Sequence, residues 1–282
     1  MGVMIGAIMG LTGAGGGILA VPVLVGTLNW PMQTAAPVAL IAVASGALVG
    51  AIDGFRLGLV RYKAAMLMAL CGVPLTRLGQ HWAQLLPHEG LMIGFGVLLW
   101  GVSARFFKQS SATLAQESSL SLHWARIHGE TGKFIWTPVT ALVLGSVGSV
   151  TGLMTGLLGV GGGFLIVPLM RRFTDLSMQG IVATSLFVIT LVSGGGVVNA
   201  YLSGAHFPAL ETSCFVAAMV SGMLAGRKVS RHLQPHHIQT GFGLLLIAVG
   251  CFMLWKAWHA SVSPDLETDF LDRSTPTGHF IA

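Results

Sequence analysis

The sequence predicts an all-α membrane protein of two homologous four-helix halves. The halves are inverted relative to each other, and each is interrupted by a glycine-rich broken helix or re-entrant hairpin. Three observations lead there. Of 282 residues, 53% are hydrophobic and only 9% charged, where soluble domains carry roughly 25% charged residues. A surface so poor in charge cannot stay soluble, and disorder needs the opposite composition. Apolar runs long enough to span a bilayer, which takes about 20 residues, recur along the chain. One motif, drawn from the chain's 39 glycines, occurs twice.

The apolar runs cover 2–28, 34–52, 64–78 and 91–107, then 138–170, 180–202, 207–225 and 241–258. Segments this apolar on all sides must be helices, because lipid satisfies no open sheet edge. The chain divides into a first membrane repeat at 1–107, a polar cytoplasmic linker at 108–136 and a second repeat at 137–259. Residues 260–282, with Asp265, Glu267, Asp269 and Asp272, read as a disordered acidic tail. No basic stretch and cleavage site open the chain, so no cleaved signal peptide is expected.

The duplication is explicit in the residues. Gly10-Leu11-Thr12-Gly13-Ala14-Gly15-Gly16-Gly17, continuing to Val21-Pro22, recurs as Gly156-Leu157-Leu158-Gly159-Val160-Gly161-Gly162-Gly163, continuing to Val167-Pro168. The register persists downstream: Met32-Gln33 matches Met178-Gln179, Asp53 faces Asn199, and Gly94-Phe95-Gly96 matches Gly241-Phe242-Gly243. An internal duplication in a membrane chain points to a transporter.

Basic residues decide the orientation of the copies. Four plain crossings per half would split the cations almost evenly. If each glycine motif is instead a hairpin tip, 12 of the 15 Lys and Arg residues fall on one side, against Arg77, Lys256 and Arg273 on the other. The positive-inside rule prefers the second arrangement, which inverts the halves and leaves both termini outside. The cations form no single patch, so a nucleic-acid partner is not indicated.

Close helix packing accounts for Gly6/Gly10 and Gly152/Gly156, whose spacing lets membrane helices approach. The triple glycines call for more, since each costs about 1 kcal/mol in a helix interior relative to Ala. Broken backbone at membrane depth survives only inside protein or beside a wet cavity. Half-helices restarting near Ile18 and Phe164 would place Pro22 and Pro168 in or near a first turn, where a missing N–H does least harm. Such ends expose N–H groups and a partial positive charge, which attract anions. The candidate substrate-binding backbone is therefore Gly13, Gly15, Gly16 and Gly17 with Gly159, Gly161, Gly162 and Gly163.

Other chemistries find no footing. Ile18 and Phe164 occupy the sixth place of a dinucleotide fingerprint, and Gly132-Lys133 is followed by Phe134 rather than Ser or Thr. Neither HExxH nor GxSxG occurs. Cys71, Cys214 and Cys251 stand in separate apolar segments without zinc or disulfide spacing. His232, His236 and His237 lack a carboxylate or cysteine beside them and read as a solvated loop rather than a metal site. The seven tryptophans, including Trp30, Trp100, Trp136, Trp255 and Trp258, mostly fall at span ends, as an interfacial belt does. The expectation is a protein that is not an enzyme and uses no cofactor or metal.

The paired GxGGGxxxVPxL-like motif, the four-helix halves and the polar central segment resemble the TauE/SafE sulfite exporter family over about residues 1–258. That resemblance implies a multi-pass permease of the bacterial inner membrane that moves sulfur-containing anions such as sulfite or organosulfonates. The chain departs from the pattern in one respect: about ten residues precede the first motif and about twenty the second.

Further candidates are polar groups at the spans. Asp53, whose repeat counterpart is the neutral Asn199, is either a coupling site for a proton or an interfacial partner for Arg56. Gln33 and Gln179 either hydrogen-bond a sulfonate or cap the second helix of each half. Thr184 and Ser185 are weaker substrate-binding candidates, because such hydroxyls commonly bond their own helix. The partners expected are a small anion and the lipid bilayer, and the small-residue faces would also allow a homodimer. The reading is a secondary transporter, favoured as an exporter because a negative cell interior drives anions outward. An anion channel and a non-transporting anion sensor or scaffold are the alternatives.

Overall fold

The computed structural model describes residues 1–12, 17–28, 30–86, 88–112, 137–174, 176–204, 208–230, 243–244 and 246–255. Gly13, Gly15 and Gly16, most of the expected linker, the histidine cluster and the acidic tail lie outside the described residues. Among those described, every regular element is a helix. The first five are α1 (Gly2–Thr12), α2 (Gly17–Thr27), α3 (Met32–Arg56), α4 (Tyr62–Leu85) and α5 (His88–Ala112). They are followed by α6 (Pro138–Leu158), α7 (Gly163–Phe173), α8 (Met178–Leu202) and α9 (Ala209–Ser230). A last apolar helix, α10, spans Leu246–Trp255.

Four of these helices are long and apolar enough to cross a membrane: Gln33–Arg56, Pro138–Leu158, Met178–Leu202 and Ala209–Val229. The expected span at 64–78 lies within α4, which is long enough but carries Arg77, Gln80, His81 and Gln84 in its second half. The expected span at 91–107 lies within α5, whose apolar stretch is Gly90–Ala104. Large apolar side chains are exposed around the perimeter, Leu70, Val97, Leu142 and Leu210 among them. That is the surface a chain with 9% charged residues can offer only to lipid.

Local chemistry sets the helix ends. Thr137 caps α6, its hydroxyl accepting from Thr140 N–H at 3.1 Å, with Pro138 as the first helical residue. Ser177 caps α8 in the same way through Gly180 N–H. The cap of α3 is Pro31, which offers no side-chain bond. Gln33 and Gln179 therefore cap neither helix.

Helix pairing joins elements far apart in the chain. A Cβ on Gly148, Gly152 or Gly156 of α6 would collide with the backbone at Met68, Gly72 or Thr76 of α4, so these two helices run in the same direction. In α1, Gly6 and Gly10 press in the same way on the backbone of α9 at Met219 and Met223, while Gly2 packs on the Ala218 and Phe215 side chains. Only residues without side chains allow backbones so near, and the reward is dispersion contact that lipid cannot supply. Thr76 Oγ1 adds a polar link across α4 and α6, bridging the carbonyls of Gly72 and Gly152 at 3.0 Å each. The long helices α3 and α8 run antiparallel, Gly54 meeting Ala183 near one end and Ala36 sharing a cavity with Asn199 near the other.

Candidate functional site

The second glycine motif is a chain reversal between α6 and α7. Gly159, Gly161 and Gly162 have φ of 70°, 75° and 62°. In this left-handed region a Cβ costs roughly 1–2 kcal/mol per residue. Gly159 closes α6, donating to Thr155 O, and Gly162 stands before α7 with its carbonyl accepting from Leu165 and Ile166. The half-helices begin at Gly163 and Gly17, within one residue of the expected starts. Pro168 and Pro22 are the sixth residues of α7 and α2 rather than first-turn residues. At that depth each proline removes one internal hydrogen bond, which an 11-residue helix held inside protein tolerates.

The reversal sits at the centre of the molecule. Gly161 lies against Val43 of α3 and Ile189 of α8, each close to the midpoint of a 25-residue helix. Gly17, the first residue of α2, packs against the Val160 carbonyl and Val43. The two half-helix starts are thus neighbours. Sequence reasoning missed two side chains at this point. Ser193 and Thr151 are both 0% exposed, and their hydroxyls have no hydrogen-bond partner among the described residues. Ser193 Oγ lies 3.1 Å from where a Gly161 Cβ would stand, and Thr151 packs on Gly162. Buried polar atoms are nearly always satisfied in folded proteins, so two orphans beside one helix start are unusual.

Above this centre opens a cavity of about 470 Å³ between the α3 N-terminal end, the α4 C-terminal half and the α8 C-terminal end. Arg77, His81 and four amide side chains, Gln33, Gln80, Gln84 and Asn199, line it, and no carboxylate does among the described residues. Gly156, Leu157 and Ala36 form part of the wall, and Ala36 touches Gly159. The cavity therefore leads toward the reversal. Asn199 donates to Gln80 Oε1, and Gln80 Nε2 donates to the Gly196 carbonyl at 2.9 Å.

The remaining candidates separate. Gln33 lines the cavity, while Gln179 is exposed at the opposite end of the molecule. Gln33 stands ten residues before Val43, about 15 Å along the helix. Thr184 accepts from Arg61 N–H at 3.1 Å, and Ser185 donates to Val182 O. Asp53 pairs with Arg227 rather than with Arg56, at 2.9 Å, and Arg227 Nη1 also donates to the Gly50 carbonyl. Arg77 was legible as an isolated cation. Gln80 and Ser193 gave no signal apart from their places in the repeat register.

The family model for the TauE/SafE sulfite exporters matches residues 1–253. The chain belongs to that family. It is 27% identical over 270 residues to a "Probable membrane transporter protein" of Xylella fastidiosa strain Temecula1, covering 93% of this chain and 95% of the relative. It is 26% identical over 265 residues to the "Probable membrane transporter protein YunE" of Bacillus subtilis, covering 91% and 96%. No solved structure matches it. This TauE/SafE chain is accordingly a membrane protein of transporter type. Its broken helix, central orphan hydroxyls and cation-bearing cavity are the features that bear on what it carries.

Proposed function

We propose that this chain is a secondary transporter of small sulfur-containing anions such as sulfite or organosulfonates. In this reading it acts in the bacterial inner membrane and exports its substrate. The observation that carries the reading is the cavity, which holds Arg77 and four amides and, among the described residues, no carboxylate, and which abuts the broken α6–α7 helix. Guanidinium and amide donors suit oxyanions. Discontinuous helices at mid-depth are the way many secondary transporters build their sites.

The crossed pairing of α1 with α9 and α6 with α4 supports inverted repeats. So does the antiparallel run of α3 and α8. In this orientation Arg56, Arg61, Lys63 and Arg227 share the cytoplasmic end, and Arg77 faces outside. The site would then be the backbone of Gly159, Gly161, Gly162, Gly163 and Gly17, with Gln33 and Asn199 on the outer approach. Export needs no coupled ion, because the membrane potential contributes about 2.3 kcal/mol per charge per 100 mV. Asp53, already held by Arg227, need not carry a coupling proton.

The test is flux in proteoliposomes with an imposed potential, comparing sulfite, sulfoacetate, thiosulfate, sulfate and chloride. Saturable flux of a sulfur oxyanion is expected, and Arg77→Gln should slow it several-fold at low salt with the gap closing at about 1 M, where the Debye length is ~3 Å. Saturable binding without flux would mark a sensor, and single-channel currents a channel; either result overturns the transporter reading.

A further inference from the structure

The two ends of the α3–α8 pair are built from corresponding contacts in different chemistry. The repeat register sets Gly50 against Gly196, Asp53 against Asn199 and Leu186 against Leu40. Arg227, one residue further along in register, corresponds to Gln80, and Met223 to Thr76. The hydrogen bonds obey the same correspondence. Gln80 donates to the Gly196 carbonyl and is joined by Asn199. Arg227 donates to the Gly50 carbonyl and is joined by Asp53. A neutral amide couple at one end is an ion pair at the other.

The two ends also differ in closure. A Cβ on Gly196 would lie 3.1 Å from Thr76 Cγ2, 3.3 Å from Leu40 Cδ1 and 3.5 Å from Gln80 Nε2. A Cβ on Gly50 would meet the counterparts at 2.5 Å (Met223 Cε), 2.7 Å (Leu186 Cδ1) and 3.1 Å (Arg227 Nη1). The leucine comparison is like for like, and the Arg227 end is the tighter. Gly54 completes the seal, 2.8 Å from Ala183 Cβ by the same measure. At the looser end the same positions line the cavity.

We propose that Arg227 is the anion-binding residue of a second vestibule at this end, closed in this structure by Asp53, whose carboxylate holds the guanidinium in place of the transported anion. The proposal rests on the transporter reading above. A guanidinium fork accepts a carboxylate or another planar-faced oxyanion through the same paired N–H groups. Asp53 is therefore a tethered competitor for the cargo. Both partners keep exposed surface, Asp53 34% and Arg227 21%, so the pair is not sealed inside protein. The Gln80–Asn199 couple carries no charge to be displaced, and its end stands open. The Arg227 end thus carries a charged latch in which an anion on Arg227 can take the place of Asp53, and the Gln80 end carries none.

The experiment reads thiol accessibility in the reconstituted full chain after Cys71, Cys214 and Cys251 are replaced by Ser. Ala36→Cys reports on the open cavity and Ala183→Cys on the closed seal. A membrane-impermeant thiol reagent should label the first readily and the second slowly. Asp53→Asn should speed labelling of Ala183→Cys by about tenfold, the response to a shift of ~1.4 kcal/mol between the two states. Sulfoacetate should slow that labelling again in Asp53→Asn, but not in Asp53→Asn with Arg227→Gln. The double variant copies the amide couple of the other end and is expected to fold. Unchanged labelling in Asp53→Asn, no protection by sulfoacetate, or protection that survives loss of Arg227 overturns the proposal. Flux without the latch response removes this proposal alone, whereas a latch response without flux removes the transporter reading.

Discussion

Around the α6–α7 break the buried side chains carry hydroxyls, and at the matching positions of the first half they do not. Thr151, Thr155 and Ser193 pack at Gly161 and Gly162. The sequence register sets Ile5, Met9 and Ala47 against them, all buried and none with a hydroxyl. Thr155 is satisfied by its own helix, donating to Thr151 O at 2.7 Å. Thr151 and Ser193 are not satisfied. An unpaired buried hydroxyl costs about 1–3 kcal/mol, and the described residues bear that cost at Thr151 and Ser193 and not at Ile5, Met9 or Ala47. The difference teaches that two similar glycine motifs need not make two similar sites. Among the described residues, a polar ligand at the centre would find its side-chain hydroxyls at Thr151 and Ser193.

The strongest way to break this comparison is to remove the backbone reversal. Gly162→Leu puts a side chain at φ 62°, with its Cβ 2.2 Å from Thr151 Cγ2. The left-handed conformation costs about 1–2 kcal/mol, and overpacking adds about 1–3. Transport should vanish and thermal unfolding in detergent should shift downward. Gly162→Ala should retain the fold and lose most of the flux. A normal transport rate in either variant would mean that the reversal is only packing.

A sharper cut exchanges the hydroxyl between halves. Ser193→Ala removes an orphan donor, so stability should stay level or rise. If Ser193 meets the anion, its loss should raise the half-saturation concentration about tenfold, the worth of one hydrogen bond to a charged group. Ala47→Ser should do the reverse, lowering stability by about 1–3 kcal/mol and leaving half-saturation unchanged. Equal effects of the two changes on transport would make the site symmetric and refute the one-sided reading.

The sequence carried the broken helices because glycine triplets and the proline after them are local signals, readable without knowing any neighbour. It carried the membrane class for the same reason, through run length and missing charge. Asp53 was visible, but its partner was not: Arg227 lies 174 positions away in chain order, and proximity across the fold is not a local property. Gln80 and Ser193 were invisible because a single amide or hydroxyl in an apolar run is ordinary; only the pairing of α4 with α8 and the packing of Gly161 give them a role. The span at 64–78 was read from its apolar first half, which hid that α4 turns polar where it lines the cavity.

The smallest effect concerns how the two crossed helix pairs are held. Thr76 bridges α4 and α6 through its hydroxyl, while its counterpart Met223, fully buried, has no hydroxyl and meets α1 through its backbone. Thr76→Val removes the hydrogen bonds and keeps the shape. Interhelical hydrogen bonds inside membranes contribute about 0.6 kcal/mol on average and at most about 1.7. A loss in that range, measured by unfolding in mixed micelles, is expected, with flux unchanged. A larger loss would mean that the hydroxyl, rather than the close backbone approach at Gly148, Gly152 and Gly156, anchors this pair. The two interfaces would then be held by different forces despite their shared glycine spacing. A loss within the range leaves the backbone approach as the common cause. Met223 shows why that is the expected result, since the α1–α9 pair reaches the same closeness at Gly6 and Gly10 with a thioether in the hydroxyl's place.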